Sequence, residues 1–191
     1  GGGNCNKAGE ASCKDFCAVP HGKFYDPKLD PTFEMLIDQF KNIAQLKPAV
    51  VSLVPNGEAV ITYQNSNTLW VEAISQQQKL NLSDNQASAL TSYYFKKYAT
   101  NSKLDNQRMS PAEKMAVTIA LGKNLGLNLS LTTNGSFLNK ELLELYGEMG
   151  LDYMNLSYHP NKPFNPEKYD PTLEHLIVRA NDAIEAGIVP T

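Results

Sequence analysis

What most restricts the fold is a regular exchange of short apolar, β-branched runs with stretches of helical periodicity, repeating at intervals of roughly thirty residues. Strands joined by helices at that interval need crossover connections, and such crossovers are right-handed. The expected architecture is therefore α/β, a parallel sheet with helices on its outer face; the pattern alone fits an open sheet or a barrel. Asp30 and Pro31 form a cap and first-turn proline for a helix in which Phe33, Leu36, Ile37, Phe40, Ile43 and Ala44 recur on one face. Lys47-Pro48 ends it. Ala49 to Val54 then reads as a strand buried on both faces, closed by the Pro55-Asn56-Gly57 turn.

The second half of the chain carries the same alternation with firmer punctuation. Ser110-Pro111-Ala112-Glu113 opens a helix through Met115, Ile119 and Leu121 that closes at Gly126, and Leu127 to Thr132 follows as a strand. Asn134-Gly135 turns the chain, and Asn139 opens a helix containing Leu142, Leu143, Leu145 and Met149. Gly150 stops it, and Tyr153 to Ser157 is the next strand. Tyr169 to Ala186 is predicted helical, Gly187 ends it, and Ile188-Val189 starts a further strand. Between Ile61 and Ser110 the pattern loosens. Ile61–Gln64 and Leu69–Ile74 pair as a possible hairpin, and Ser83 or Asp84 caps a helix to about Ala99 whose Gln and Asn content marks it as peripheral.

Composition narrows the function classes. At 191 residues, 42% hydrophobic, the chain has the size of one ordinary domain. The net charge of −3 supplies no basic stripe, so neither duplex nucleic acid nor an anionic membrane is an expected partner. No apolar run approaches the roughly eighteen residues of a membrane span, and no secretory leader is visible, so the expected compartment is the cytoplasm. An opening at Gly1 and an end at Thr191 just after an apolar run lead to the expectation that this is a piece of a longer protein.

All three cysteines, Cys5, Cys13 and Cys17, fall within thirteen residues of a loop-like segment before the first helix. An odd, clustered set of thiols in a reducing compartment favours metal over disulfides. Two metal chemistries fit. Three thiolates can hold three corners of a cubane cluster and leave one iron open. Alternatively Cys5, Cys13, Cys17 and His21 complete a tetrahedral zinc set, which makes the chain a non-catalytic α/β binding module with a structural metal.

Three stretches resemble the radical S-adenosylmethionine (radical SAM) enzymes. Cys5, Cys13 and Phe16-Cys17 resemble that family's cysteine loop, with an aromatic residue before the last thiol. Val51 to Val60, containing Pro55-Asn56-Gly57-Glu58, is similar to its second strand and Gly-Gly-Glu motif. Leu129 to Leu138, followed by Gly150 to Ser157, is similar to its third and fourth strands. The likeness spans most of the chain, leaving about residues 61–110 as an inserted segment. The thiol spacing departs from the family's three and two residues, being seven and three here, and Asn56 replaces the motif's first glycine.

The resemblance implies a partial (β/α) barrel and a [4Fe-4S] cluster on Cys5, Cys13 and Cys17. It places Phe16 on the adenine of S-adenosylmethionine, Asn56, Gly57 and Glu58 at the methionine amino group, and Ser157 at the ribose or carboxylate. It implies reductive cleavage of S-adenosylmethionine to a 5′-deoxyadenosyl radical that takes a hydrogen atom from a substrate the sequence does not identify. An oxygen-sensitive cluster and a flavodoxin or ferredoxin as electron donor are implied with it. Taken singly, several of these residues have plainer roles: Phe16 as core, Glu58 opposing a helix dipole, Ser157 bonding backbone. His159 reads as a loop histidine, His175 as surface, and Tyr93, Tyr94 and Tyr98 as a packing stripe. A Rossmann nucleotide site ranks last, because no glycine fingerprint stands at a strand-to-helix turn.

Overall fold

The computed structural model describes residues 33–53, 80–98, 111–158, 165 and 168–191. Their order is α1 (Phe33–Gln45), β1 (Val51–Leu53), α2 (Asp84–Tyr98), α3 (Pro111–Asn124), β2 (Leu129–Thr133), α4 (Lys140–Met149), β3 (Tyr153–Leu156), α5 (Pro171–Glu185) and β4 (Val189–Pro190). The predicted hairpin at 61–74 lies outside the described residues. All four strands are parallel and lie in chain order, β1-β2-β3-β4. No closure into a barrel is shown; β1 and β4 are the edges of the described sheet.

The helices form a row. α1 packs on α3, α3 on α4, and α4 on α5, contacts that are possible only if all four lie on one side of the sheet. A strand order that advances in one direction produces this arrangement when every crossover has the same hand. The row covers Leu129 and Leu131 of β2, Met154 of β3 and Ile188 ahead of β4, all within a few per cent of complete burial. Into the same core α4 sends Leu142, Leu143, Leu145, Tyr146 and Met149.

Local chemistry sets the boundaries. Asn139 caps α4 by accepting the Leu142 N–H at 2.8 Å, and Gly150 ends it at φ +96°, a left-handed conformation that suits glycine. Asp170 caps α5 with Pro171 in the first turn, so this helix begins two residues after the predicted Tyr169. Between α4 and α5 the backbones meet at Gly147, where a Cβ would stand 2.2 Å from the Ala186 carbonyl oxygen.

Two expectations need correction. The strand at Ala49–Val54 shortens to Val51–Leu53 and is not buried on both faces, because Ser52 is exposed. Among the described residues β1 pairs with β2 and turns its Val51/Leu53 side to the helices. The helix read as peripheral is an outer layer that shares the main core. α2 lies on α3 and α4, and Leu80, Leu82 and Leu90 are buried beneath it. Ser83 and Gln86 form a reciprocal capping box, the Gln86 N–H donating to Ser83 Oγ at 3.1 Å and the Ser83 N–H to Gln86 Oε1 at 3.0 Å. The Gln86 amide also exchanges hydrogen bonds with the Asn124 side chain and donates to the Met149 carbonyl, so a polar residue is buried at little cost.

Candidate functional site

Side chains alternate across a strand, so the residues that put Leu129 and Leu131 among the helices put Ser130 and Thr132 on the other face. The register extends this across the sheet. Ser52 pairs with Ser130, Thr132 with Asn155, and Thr191 follows Pro190 beside Asn155. Continuing the alternation, Ser157 falls on that face too. One side of the sheet is aliphatic and helix-covered; the other carries hydroxyls and an amide, with Tyr153 and Val189 as its larger members. A parallel sheet is ordinarily apolar on both faces, which makes this polar face the first candidate site.

Asn155 sits at its centre. Its Nδ2 donates to Ser130 Oγ at 3.2 Å and to Thr132 Oγ1 at 3.3 Å, and its Oδ1 accepts from the Thr191 hydroxyl. Every hydrogen-bonding group of the side-chain amide is engaged, so its orientation is fixed by three neighbours.

The carboxyl edge of the sheet, where ligands of parallel α/β proteins bind, adjoins this face. Ser157 is there, half-buried, its N–H donating to the Thr133 carbonyl at 2.8 Å. Beside it the Asn134-Gly135 turn is built by side chains: Thr133 Oγ1 accepts the Gly135 N–H at 3.0 Å, and Asn134 Oδ1 accepts the Ser136 N–H at 2.9 Å. Gly135 is at φ +76°, and a Cβ would come within 2.6 Å of Leu176. His175 is exposed, as predicted, yet Nε2 donates to the Gly135 carbonyl at 3.0 Å, tying α5 to this turn.

After Ser157, the Tyr158 hydroxyl donates to Asp170 Oδ2. The other carboxylate oxygen accepts the backbone N–H groups of Thr172 and Leu173 at 2.9 and 3.2 Å. The Tyr158 bond is the main reason the Asp170 carboxyl is held below its ordinary range, with the backbone donors adding to it and desolvation opposing. The same bond raises the Tyr158 phenol. Both shifts favour the ionised cap at the start of α5, where the helix dipole also favours negative charge.

Of the residues expected from sequence to form a site, Ser157 is described and stands at the carboxyl edge. Cys5, Cys13, Cys17, Phe16, His21, Asn56, Gly57, Glu58 and His159 lie outside the described residues. Among the described residues no three His, Cys, Asp or Glu side chains converge as metal ligands, and no helix is long and apolar enough to cross a membrane. The sequence reading passed over Ser130, Thr132, Asn155 and Thr191 as site residues. The signal was present as polar residues two apart within each strand, Ser130/Thr132 and Asn155/Ser157. Chemically this set can orient a small polar molecule by hydrogen bonds; it holds no strong base or nucleophile of its own. The chain matches no family model, no curated protein and no solved structure.

Proposed function

We propose that this chain is the core of a radical S-adenosylmethionine enzyme. One observation carries the proposal: the parallel strands run in chain order, carry their helices on one side, and leave a hydrogen-bonding face that leads to Ser157 at the carboxyl edge. A sheet of this winding is the form that part of a (β/α) barrel takes, with its polar face toward the lumen. The donor set suits the group: three thiolates, Cys5, Cys13 and Cys17, match a four-iron cluster with one iron open to an outside ligand. Glu58 follows β1 by five residues, and its carboxylate with Asn56 and Gly57 would receive the ammonium of S-adenosylmethionine. Phe16 would lie on the adenine, and Ser157 would bond the ribose or carboxylate. When bound, the cluster and sulfonium supply one-electron cleavage and hydrogen-atom abstraction, and the protein supplies orientation and exclusion of water. The electron donor would be a flavodoxin or ferredoxin.

Anaerobic purification with metal and sulfide analysis tests this. About four irons and four sulfides per chain, with 5′-deoxyadenosine released on adding reductant and S-adenosylmethionine, is the expected result. One zinc without sulfide overturns it. Cys13→Ala should lose the iron; a variant that keeps it shows that the ligand set is wrong.

A further inference from the structure

We propose that Asn134 is a deamidation site held closed by the hydroxyl of Thr133, which ties down the backbone nitrogen that would carry out the reaction. The chemistry is intramolecular. The Gly135 nitrogen loses its proton and attacks Cγ of Asn134, a C–N bond forms, and the side-chain amide leaves as ammonia with that proton. Water then opens the resulting succinimide at either carbonyl and leaves aspartate or iso-aspartate at position 134. One water is consumed, one ammonia is released, and no redox change occurs. An asparagine followed by glycine is the pair most prone to this closure, because no Cβ shields the attacking nitrogen.

The fold does not allow the hazard to be removed at residue 135. Gly135 is at φ +76°, and a Cβ there would stand 2.6 Å from Leu176 Cδ2, so any side chain is strained both in backbone and in space. Control falls to residue 133 instead. Thr133 Oγ1 accepts the Gly135 N–H at 3.0 Å, and Thr133 is only 2% exposed, so water does not replace this bond readily. The nitrogen has to give it up before it can lose its proton, which strands a buried oxygen. The electrophile is held as well: Asn134 Oδ1 accepts the Ser136 N–H at 2.9 Å and the Ser136 hydroxyl, which fixes the carboxamide over the turn.

Access is not what protects the site. Asn134 is half-buried and Ser136 exposed, so water reaches the side chain, and the restraint lies on the nucleophile. Deamidation would alter the carboxyl edge of the sheet in two ways. It would put a negative charge on the turn whose Thr133 carbonyl accepts the Ser157 N–H. In the iso-aspartate product it would also add a carbon to the main chain next to the carbonyl that His175 of α5 bonds.

The test is peptide mapping by mass spectrometry of the full-length chain incubated at mildly alkaline pH, with the peptide carrying Asn134 read apart from the one carrying Asn56-Gly57. Asn134 should deamidate more slowly in the folded chain than in the same chain unfolded in urea. Thr133→Val, which keeps the shape and deletes the acceptor, should speed the folded reaction about tenfold, the loss of one net hydrogen bond or slightly more. Thr133→Ser, which keeps the oxygen, should stay close to the unaltered rate. Hydrogen exchange separates a local effect from loosening of β2: in Thr133→Val the Gly135 N–H should exchange faster while the Leu131 N–H keeps its protection. Equal rates in folded and unfolded chain, a Thr133→Val rate no faster than the unaltered one, a Thr133→Ser rate as fast as Thr133→Val, or lost protection at Leu131 each overturn the proposal. None of these measurements needs iron or S-adenosylmethionine, so their failure leaves the proposed enzyme standing and its failure leaves them.

Discussion

The two faces of the sheet are built from neighbouring residues and differ in chemistry. Leu129, Leu131 and Met154 are wholly buried against the helix row, whereas Ser130, Thr132 and Asn155, interleaved with them, bond one another on the far side. A strand therefore separates a helix-packed apolar face from a hydrogen-bonding one at single-residue resolution.

The sharpest way to break that comparison is to change adjacent residues. Leu131→Ala should destabilise by about 2–5 kcal/mol, since it removes a fully buried side chain from a packed cluster. Thr132→Val, one residue on, should cost about 1 kcal/mol or less, because it deletes one half-exposed hydrogen bond and keeps the shape. Chemical denaturation of both variants compares them directly, and equal losses would mean that the faces are not divided as described.

A second test addresses how the helix row holds together. At Gly147 the obstacle to a side chain is the Ala186 carbonyl, which no rotamer change can move. Gly147→Ala should cost about 1–3 kcal/mol by separating α4 from α5. A comparable loss is expected on the outer layer, where Gln86→Ala takes the donor from the Met149 carbonyl and two bonds from the Asn124 side chain, which keeps its bond to the Asn81 carbonyl. That change should cost about 1–3 kcal/mol, read by chemical denaturation. If Gln86→Ala were neutral, α2 would be the peripheral element its composition suggested.

The sequence disclosed the elements better than their sides. Helical spacing from Phe33 to Ala44, the Asn139 cap, the Gly150 stop and the alternation of strand with helix all appear in the structure, because each depends on residues close in the chain. The polar face did not emerge, since its meaning arises only when Thr132 is set beside Asn155 by strand pairing. Composition also misled at α2. Gln86 reads as a surface residue until Asn124, 38 positions away, is brought to its amide. Of the candidate site, Ser157 was legible from its place at a strand's end, whereas its partner Thr133 required the register.

The smallest effect concerns the link between the carboxyl edge and α5. Asp170 has a lowered pKa chiefly because Tyr158 donates to it, so the stabilisation it gives is present above the ordinary aspartate pKa. That stabilisation fades as pH falls through the lowered value, when the carboxylate takes up a proton. Tyr158→Phe removes the largest cause and leaves the two backbone donors, so the Asp170 pKa should rise toward an ordinary aspartate and the acid limb of the stability profile should move to higher pH. Carboxyl-carbon NMR of Asp170 across the acid range reads this shift without a change in the core. Since Asp170 is the cap of α5 and Tyr158 follows Ser157, an unchanged pKa in that variant would show that the strand's end and the helix's start are held by the backbone donors alone, and that the edge bearing Ser157 is not anchored to α5 through this bond.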